Sequence, residues 1–311
     1  MQINIAIASD RNMEVGLHVT LYTALQFLDP DAFVNIHLFS KDFSSQAIER
    51  IHQTLSPYRD LYHLQTYDVA TLDLGSGKGL HYNKMPYVIL LAANLVEAEK
   101  LLFLDADLII RTDLSKLFAY PLEDKIIGAV FESYVSKTWN KEYGLLKQIG
   151  LPDDAPYFNS GVVLFDAKRW KQEQMSPRCF KIIDEYGKLL HNTDQTVLNA
   201  AVGGEFLLLP HKYNRPFYPG GYGITDDSDC ICHLVGSPKP WDLFGEVLHN
   251  SYPAFYRYLK ETAFQNYKSY LTPSIPRFQR TFALSRSYYS LVKWQFKQRF
   301  LANSALDKRA N

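Results

Sequence analysis

Two aspartates stand two residues apart inside an otherwise apolar run, Leu101-Leu102-Phe103-Leu104-Asp105-Ala106-Asp107-Leu108-Ile109-Ile110. In an extended chain, residues i and i+2 point to one face, so the two carboxylates share a side. Like charges on a partly buried face repel and lose hydration, and a divalent cation relieves both costs. An Asp-x-Asp triplet arises about once by chance in a chain of this length at ordinary composition. Its plain alternative is a loop pair capping a turn, and the apolar strand leading into it favours the metal. His233, in His233-Leu234-Val235-Gly236-Ser237-Pro238-Lys239-Pro240-Trp241, is the candidate third ligand. A lone histidine is more often structural. Here Gly236 and Lys239 follow within one short loop, the glycine letting backbone amides approach a phosphate and the lysine supplying a point charge. A rival thiol site would use Cys230, Cys232 and His233. An extended segment would turn both thiols to one side and His233 to the other, leaving too few ligands for structural zinc. Gly75-Ser76-Gly77-Lys78-Gly79 resembles a phosphate loop only superficially, because it lacks the Walker spacing and no apolar strand leads into it.

These residues must be held by a sheet. Residues 3–8, 34–39, 62–69 and 101–104 read as strands, and the leucines at 17, 21, 25 and 28 mark a helix over 15–28. Further helices are expected over 44–55, with Ser44 as cap, and over 87–96, 172–190 and 194–202, with strands over 126–131 and 161–165. Strands alternating with helices imply a parallel α/β sheet covered on both faces. Pro219-Gly220-Gly221-Tyr222-Gly223 is a loop by composition. In an open α/β sheet ligands bind at the carboxyl ends of the strands, which is where Asp105 falls.

Five separated segments resemble retaining glycosyltransferases of family 8, which include bacterial lipooligosaccharide galactosyltransferases and glycogenin. They are Ala8-Ser9-Asp10-Arg11-Asn12, Phe103-Leu104-Asp105-Ala106-Asp107, Phe158-Asn159-Ser160-Gly161-Val162, Asp194-Gln195 with Leu198-Asn199, and His233 to Trp241. Each is weak alone, but five in the right order, spread from residue 1 to about 242, are specific. The resemblance implies a GT-A fold, a mixed sheet flanked by helices. It implies Mn2+ on Asp105, Asp107 and His233, with Mg2+ as a substitute. Uridine and ribose would lie on Ala8, Ser9, Asp10, Arg11 and Asn12, with Ala106 and Asp107, and the diphosphate on Gly236, Ser237, Lys239 and Trp241. Asp105, Glu132, Asn159, Asp194 and Gln195 would surround the donor sugar, with Asp194 and Gln195 as the catalytic pair. The chain departs from the family at Met13, where a tyrosine stacks on uracil, and at Ile89, where an arginine is usual. Glu132 stands where close relatives have aspartate. Lys78 or Lys84 could replace the missing charge; otherwise both are solvated loop lysines.

The implied activity is transfer of galactose or glucose from a UDP-sugar to a saccharide or lipid-linked acceptor, in lipopolysaccharide or other surface polysaccharide synthesis. Gln195 is a poor nucleophile and Asp194 a better one, but front-face attack is preferred, with the leaving phosphate oxygen taking the acceptor's proton. The competing classes are a nucleotidyltransferase, which would release pyrophosphate, and a non-catalytic nucleotide-sugar binding protein. Capping and turn hydrogen bonds are the plain alternative for Asn159, Asp194 and Gln195.

The 311 residues are 47% apolar and 21% charged, an ordinary globular balance, and 33 basic against 33 acidic residues give no sign of a nucleic-acid partner. No signal peptide or span of ~20 apolar residues is evident, and three cysteines (Cys179, Cys230, Cys232) suggest reduced thiols in a cytosol. Residues 1–250 are expected to form the catalytic domain and 251–311 a helical, basic extension. Residues 277–311 carry eight basic side chains and one acidic, with interleaved aromatics. That composition fits an anionic membrane surface, at the cytoplasmic face, or else a helix packing its aromatics on the domain.

Overall fold

The computed structural model describes residues 1–75, 84–225, 229–271 and 275–307. The Gly75–Gly79 loop therefore lies almost wholly outside the described residues, with Lys78. The strands are β1 (Gln2–Asp10), β2 (Phe33–Lys41), β3 (Tyr62–Asp68), β4 (Lys100–Leu104), β5 (Leu108–Ile110), β6 (Ile127–Tyr134), β7 (Pro156–Asp166), β8 (Leu207–Leu209), β9 (Arg215–Pro216) and β10 (Ile231–His233). The helices are α1 (Glu14–Gln26), α2 (Ser45–Leu55), α3 (Ile89–Leu95), α4 (Leu114–Phe118), α5 (Asn140–Ile149), α6 (Ala167–Gln172), α7 (Met175–Tyr186), α8 (Thr193–Val202), α9 (Gly245–Leu248), α10 (Tyr252–Leu259), α11 (Ile275–Ala283) and α12 (Ser285–Asp307).

Seven strands form the main sheet in the order β3-β2-β1-β4-β7-β6-β8. Period-two alternation explains its two cores. Ile3, Ile5, Ile7, Leu102 and Leu104 face one cluster with Leu17, Leu21 and Leu25 of α1. Ala6, Leu101 and Phe103 face the other with α3, Trp170 and Val197. The pairs from β3 to β4 are parallel, as the strand–helix alternation implies. From β4 onward the parallel pattern read from alternation gives way: β7 runs antiparallel to both β4 and β6, so the sheet is mixed, as the family resemblance implies. The predicted helix over 172–190 is the shorter α7, which starts only at Met175 because Gln174 takes a left-handed φ of 51° after α6 ends at Gln172.

A second sheet, β5-β10-β9, stands at the carboxyl edge of the first. The apolar run through Ile110 is not one strand. It turns at Asp105–Asp107 and leaves the main sheet as β5. Helix α1 secures this exit: Thr20 Oγ1 accepts from the Leu108 amide at 3.0 Å and Thr23 Oγ1 from the Ile110 amide at 3.0 Å. Beyond residue 250, Phe255, Tyr258, Leu259 and Tyr267 are buried in one cluster with Val15, Val19, Ile109 and Trp241.

Candidate active site

The antiparallel pairing of β10 with β5 sets His233 opposite Leu108, next in chain to Asp107. Asp105, Asp107 and His233 offer ligand atoms that all lie within 4.8 Å of one another. His233 Nε2 is 3.5 Å from Asp105 Oδ2 and 3.3 Å from Asp107 Oδ1. His233 Nδ1 lies 2.9 Å from Asn214 Oδ1. Because Asn214 Nδ2 donates to Asn159 Oδ1 at 2.9 Å, the network assigns the proton to His233 Nδ1, leaving the Nε2 lone pair toward the carboxylates. This is the arrangement by which metal-binding imidazoles are oriented.

The residues fit a divalent cation. Asp107 Oδ1 is buried and accepts no hydrogen bond, an acceptor that a cation would satisfy. Two carboxylates and one imidazole form an oxygen-rich set suited to Mn2+ or Mg2+. A Cβ on Gly161 would lie 2.3 Å from His233 Cε1 and 3.0 Å from Asp105 Oδ2, so only glycine leaves room for the imidazole. Electrostatics separate the aspartates. Desolvation, then the Asp107 charge, pushes Asp105 above the usual carboxylate range. Burial would raise Asp107 too, but the Lys239 ammonium, 2.5 Å from Oδ2, and then His233 hold it well below the usual carboxylate range. Burial works against charge on His233, and Asp107 overrides it and raises the imidazole.

Three of the residues expected to surround the sugar, Asn159, Gln195 and Glu132, form one hydrogen-bonded chain. Asn159 Nδ2 donates to Gln195 Oε1 at 3.1 Å, and Gln195 Nε2 donates to Glu132 Oε2 at 2.8 Å. Glu132 is the extra residue where the β6–β7 register shifts between Phe131 and Ser133, and a bulge re-aims a side chain in this way. The Asp194 carboxylate accepts from Ser160 Oγ at 2.8 Å and Thr193 Oγ1 at 2.9 Å. Burial pushes its pKa above the usual carboxylate value, against the hydrogen bonds from Ser160 and Thr193. Behind α8, buried Glu142 accepts from Tyr157 OH at 2.9 Å and Thr196 Oγ1 at 2.5 Å.

The loop after β1 lies on the same edge. Asp10 Oδ1 accepts from the Asn12 and Met13 amides, Ser9 is buried, and Arg11 is exposed. Trp241 Nε1 donates to the Asn12 carbonyl at 2.9 Å, tying this loop to the one that holds Gly236, Ser237 and Lys239. Trp241 itself is core, 2% exposed, and Ala106 is buried at 3%. Ile89 is buried in the second cluster and Met13 packs between the first and third. Lys84 donates to the Gly75 carbonyl. The rival thiol site does not form: Cys230 and Cys232 place their sulfurs 3.4 Å apart, while among the described residues the one group of His, Cys, Asp and Glu with metal-binding spacing is Asp105, Asp107 and His233. Asn214 is a site residue that the sequence does not mark, and only the pairing of β9 with β10 brings it in. Ser160 lies within the Phe158 to Val162 segment, and its own role, donating to Asp194, emerges only from the placement of β7 against α8.

A family model described as "Glycosyl transferase family 8" matches residues 4–244. The chain is 23% identical over 251 residues to "Glycosyltransferase GlyF" of Streptococcus pneumoniae serotype 4, covering 78% of this chain and 58% of that protein. It is 24% identical over 254 residues to a "Lipopolysaccharide 1,3-galactosyltransferase" of Salmonella typhimurium, covering 78% and 74% respectively. In fold it resembles the galactosyltransferase LgtC, solved with donor and acceptor sugar analogs, at a TM-score of 0.66 and 20% identity, covering 84% of this chain and 96% of that one. The mixed sheet flanked by helices is thus the GT-A architecture.

Proposed function

The chain belongs to glycosyl transferase family 8, and on that premise we propose that it is a metal-dependent, retaining hexosyltransferase. It takes galactose or glucose from a UDP-sugar and passes it to a saccharide or lipid-linked saccharide, in synthesis of lipopolysaccharide or another surface polysaccharide. The observation that carries this reading is the convergence of Asp105, Asp107 and His233 around a buried Asp107 oxygen with no hydrogen bond, at the carboxyl edge of the sheet.

Asp105, Asp107 and His233 would hold Mn2+, with Mg2+ as a substitute. Bound there, the cation supplies positive charge toward a departing diphosphate. Lys239, fixed in the loop with Gly236 and Ser237, adds its ammonium to the same side. Ala8 to Asn12 hold the nucleoside, and Asn159, Gln195 and Glu132 present a hydrogen-bonding edge to the sugar hydroxyls. Asp194, fixed by Ser160 and Thr193, faces the positive charge that develops on the sugar carbon. The acceptor hydroxyl attacks from the face the leaving group vacates, and its proton passes to the leaving phosphate oxygen. Phe278 and Phe282 of α11 and Tyr289 and Phe296 of α12 are exposed in a basic segment, which supports docking on an anionic membrane at its cytoplasmic face, where a lipid-linked acceptor would be met.

A panel of nucleotide sugars with Mn2+ tests the reading. Release of a nucleoside diphosphate is expected with a UDP-hexose, and an α-linked product from an α-donor by NMR. Asp107→Ala should abolish turnover, a loss of at least ~100-fold, with the fold intact. Pyrophosphate release would identify a nucleotidyltransferase instead, and full activity in EDTA would remove the metal from the account.

A further inference from the structure

A cavity of about 560 Å³ opens between the glycine-rich loop and α12. Tyr218 and Ser237 line its body side, and Arg286, Ser290 and Trp294 its helix side. We propose that this cavity is the acceptor site and that it takes a saccharide bearing a phosphate or carboxylate. The assignment rests on the retaining-transfer reading above, because front-face attack brings the acceptor hydroxyl in beside the leaving diphosphate. The acceptor cavity must then border the loop assigned to the diphosphate. This one does: Ser237 belongs to that loop, and a Cβ on neighbouring Gly236 would lie 3.7 Å from both Pro219 and Tyr218.

The cavity is built, not a gap left by loose packing. A Cβ on Gly220 would lie 2.8 Å from the Trp294 ring and 2.9 Å from Leu291, so the loop seats the helix only as glycine. Tyr288 OH donates to the Leu243 carbonyl at 2.8 Å and Gln295 Nε2 to the Leu248 carbonyl at 3.2 Å, which hold α12 in place. The volume falls within the about 300–1,000 Å³ usual for small-ligand pockets. Tyr218 and Trp294, 51% and 45% exposed, add aromatic surface to the lining, of the kind on which sugar C–H groups pack. Arg286 makes no ion pair among the described residues, and no carboxylate lines the cavity. A guanidinium is a planar fork that matches carboxylate or phosphate oxygens, so a neutral sugar would leave it unused.

The full chain is tested by saturation-transfer NMR with three probes: glucose, glucose 6-phosphate and glucuronate. At least one acid should bind tenfold more tightly than glucose, and the stronger of the two names the anionic group. Arg286→Gln should weaken that acid about tenfold, and Ser290→Trp, which fills the cavity from the helix side, should abolish its binding. Thermal midpoints check that both variants fold. Equal binding of glucose and the acids, no binding of either acid, or an unchanged affinity in Arg286→Gln would overturn the assignment. Donor hydrolysis by the unaltered chain is scored separately. Its absence alongside Arg286-dependent acid binding would sink the transferase reading and leave an anionic-saccharide site standing.

Discussion

At the scale of single residues, the metal site depends on a side chain that is missing. Gly161 has no Cβ, and the space it leaves holds the His233 ring. Gly161→Ala should therefore push His233 off the carboxylates while leaving all three proposed ligands in the chain. Asn214→Ala should act on the same ring from its other nitrogen, by removing the Nδ1 partner that fixes its orientation. Loss of such outer partners typically costs 10–100-fold in metal affinity, and calorimetric titration with Mn2+ should show a drop of about that size in each variant. An unchanged affinity in both would mean that His233 does not bind the metal. The carboxylate pair was readable from sequence because Asp-x-Asp interrupts an apolar run. His233 was readable as a candidate, since Gly236 and Lys239 follow it. Asn214 was not, because its role exists only once β9 pairs with β10.

At the scale of elements, strands with period-two apolar patterns were legible and those of two or three residues were not. β5, β9 and β10 span three, two and three residues, too few for any periodicity, yet they deliver His233. The antiparallel placement of β7 was hidden for a different reason: local pattern fixes that a segment is extended, not which neighbour it pairs with. Helix α1 carries a further consequence. His18 is fully buried on it, with Nδ1 2.6 Å from Thr54 Oγ1 of α2, and that oxygen also accepts from the Ala263 amide at 3.0 Å. The hydroxyl proton thus points to a neutral His18, the Phe264 ring stands edge-on to it, and Arg50 is the nearby charge. Burial, then Arg50, lowers its pKa to about 3. A histidine depressed in the folded state contributes fully above its ordinary pKa of about 6.5, and that contribution is lost as pH falls toward the folded value, because the unfolded chain takes the proton first. The slope is about 1.4 kcal/mol per pH unit for one such group. Thermal midpoints measured from about pH 6 to about pH 4 should fall less steeply for His18→Gln than for the unaltered chain, although the variant starts less stable at neutral pH. Parallel curves would show that His18 is protonated without cost.

At the scale of the whole molecule, charge and aromatic surface are gathered at one end. Residues 277–311 carry a net +7 in a chain that is neutral overall, so the remainder is near −7. One face of α11 and α12 is committed to the body: Arg280 pairs with Asp242 at 2.7 Å, Leu284 is buried, and Tyr288 and Gln295 bond loop carbonyls. The opposite face exposes Phe278, Phe282, Tyr289 and Phe296 at 68–76%. Their spacing of four, seven and seven residues keeps them in one stripe, flanked by Lys293 and Lys297. No helix among the described residues is long and apolar enough to cross a membrane. A stripe of this kind suits the headgroup level instead, aromatics inward and ammonium groups against anionic lipid. Each basic residue near such a surface contributes about 1 kcal/mol, screened by salt. Replacing Lys293 and Lys297 by glutamine should then cost about 2 kcal/mol, roughly thirtyfold in affinity. Co-sedimentation with phosphatidylserine-containing vesicles checks this, since binding should be present at low salt, weakened at high salt, and absent with phosphatidylcholine alone. Phe282→Ser with Phe296→Ser should weaken it without changing the salt dependence, which separates insertion of rings from attraction of charge. If the lysine variant binds as well as the unaltered chain, or salt has no effect, the stripe is not an electrostatic membrane anchor.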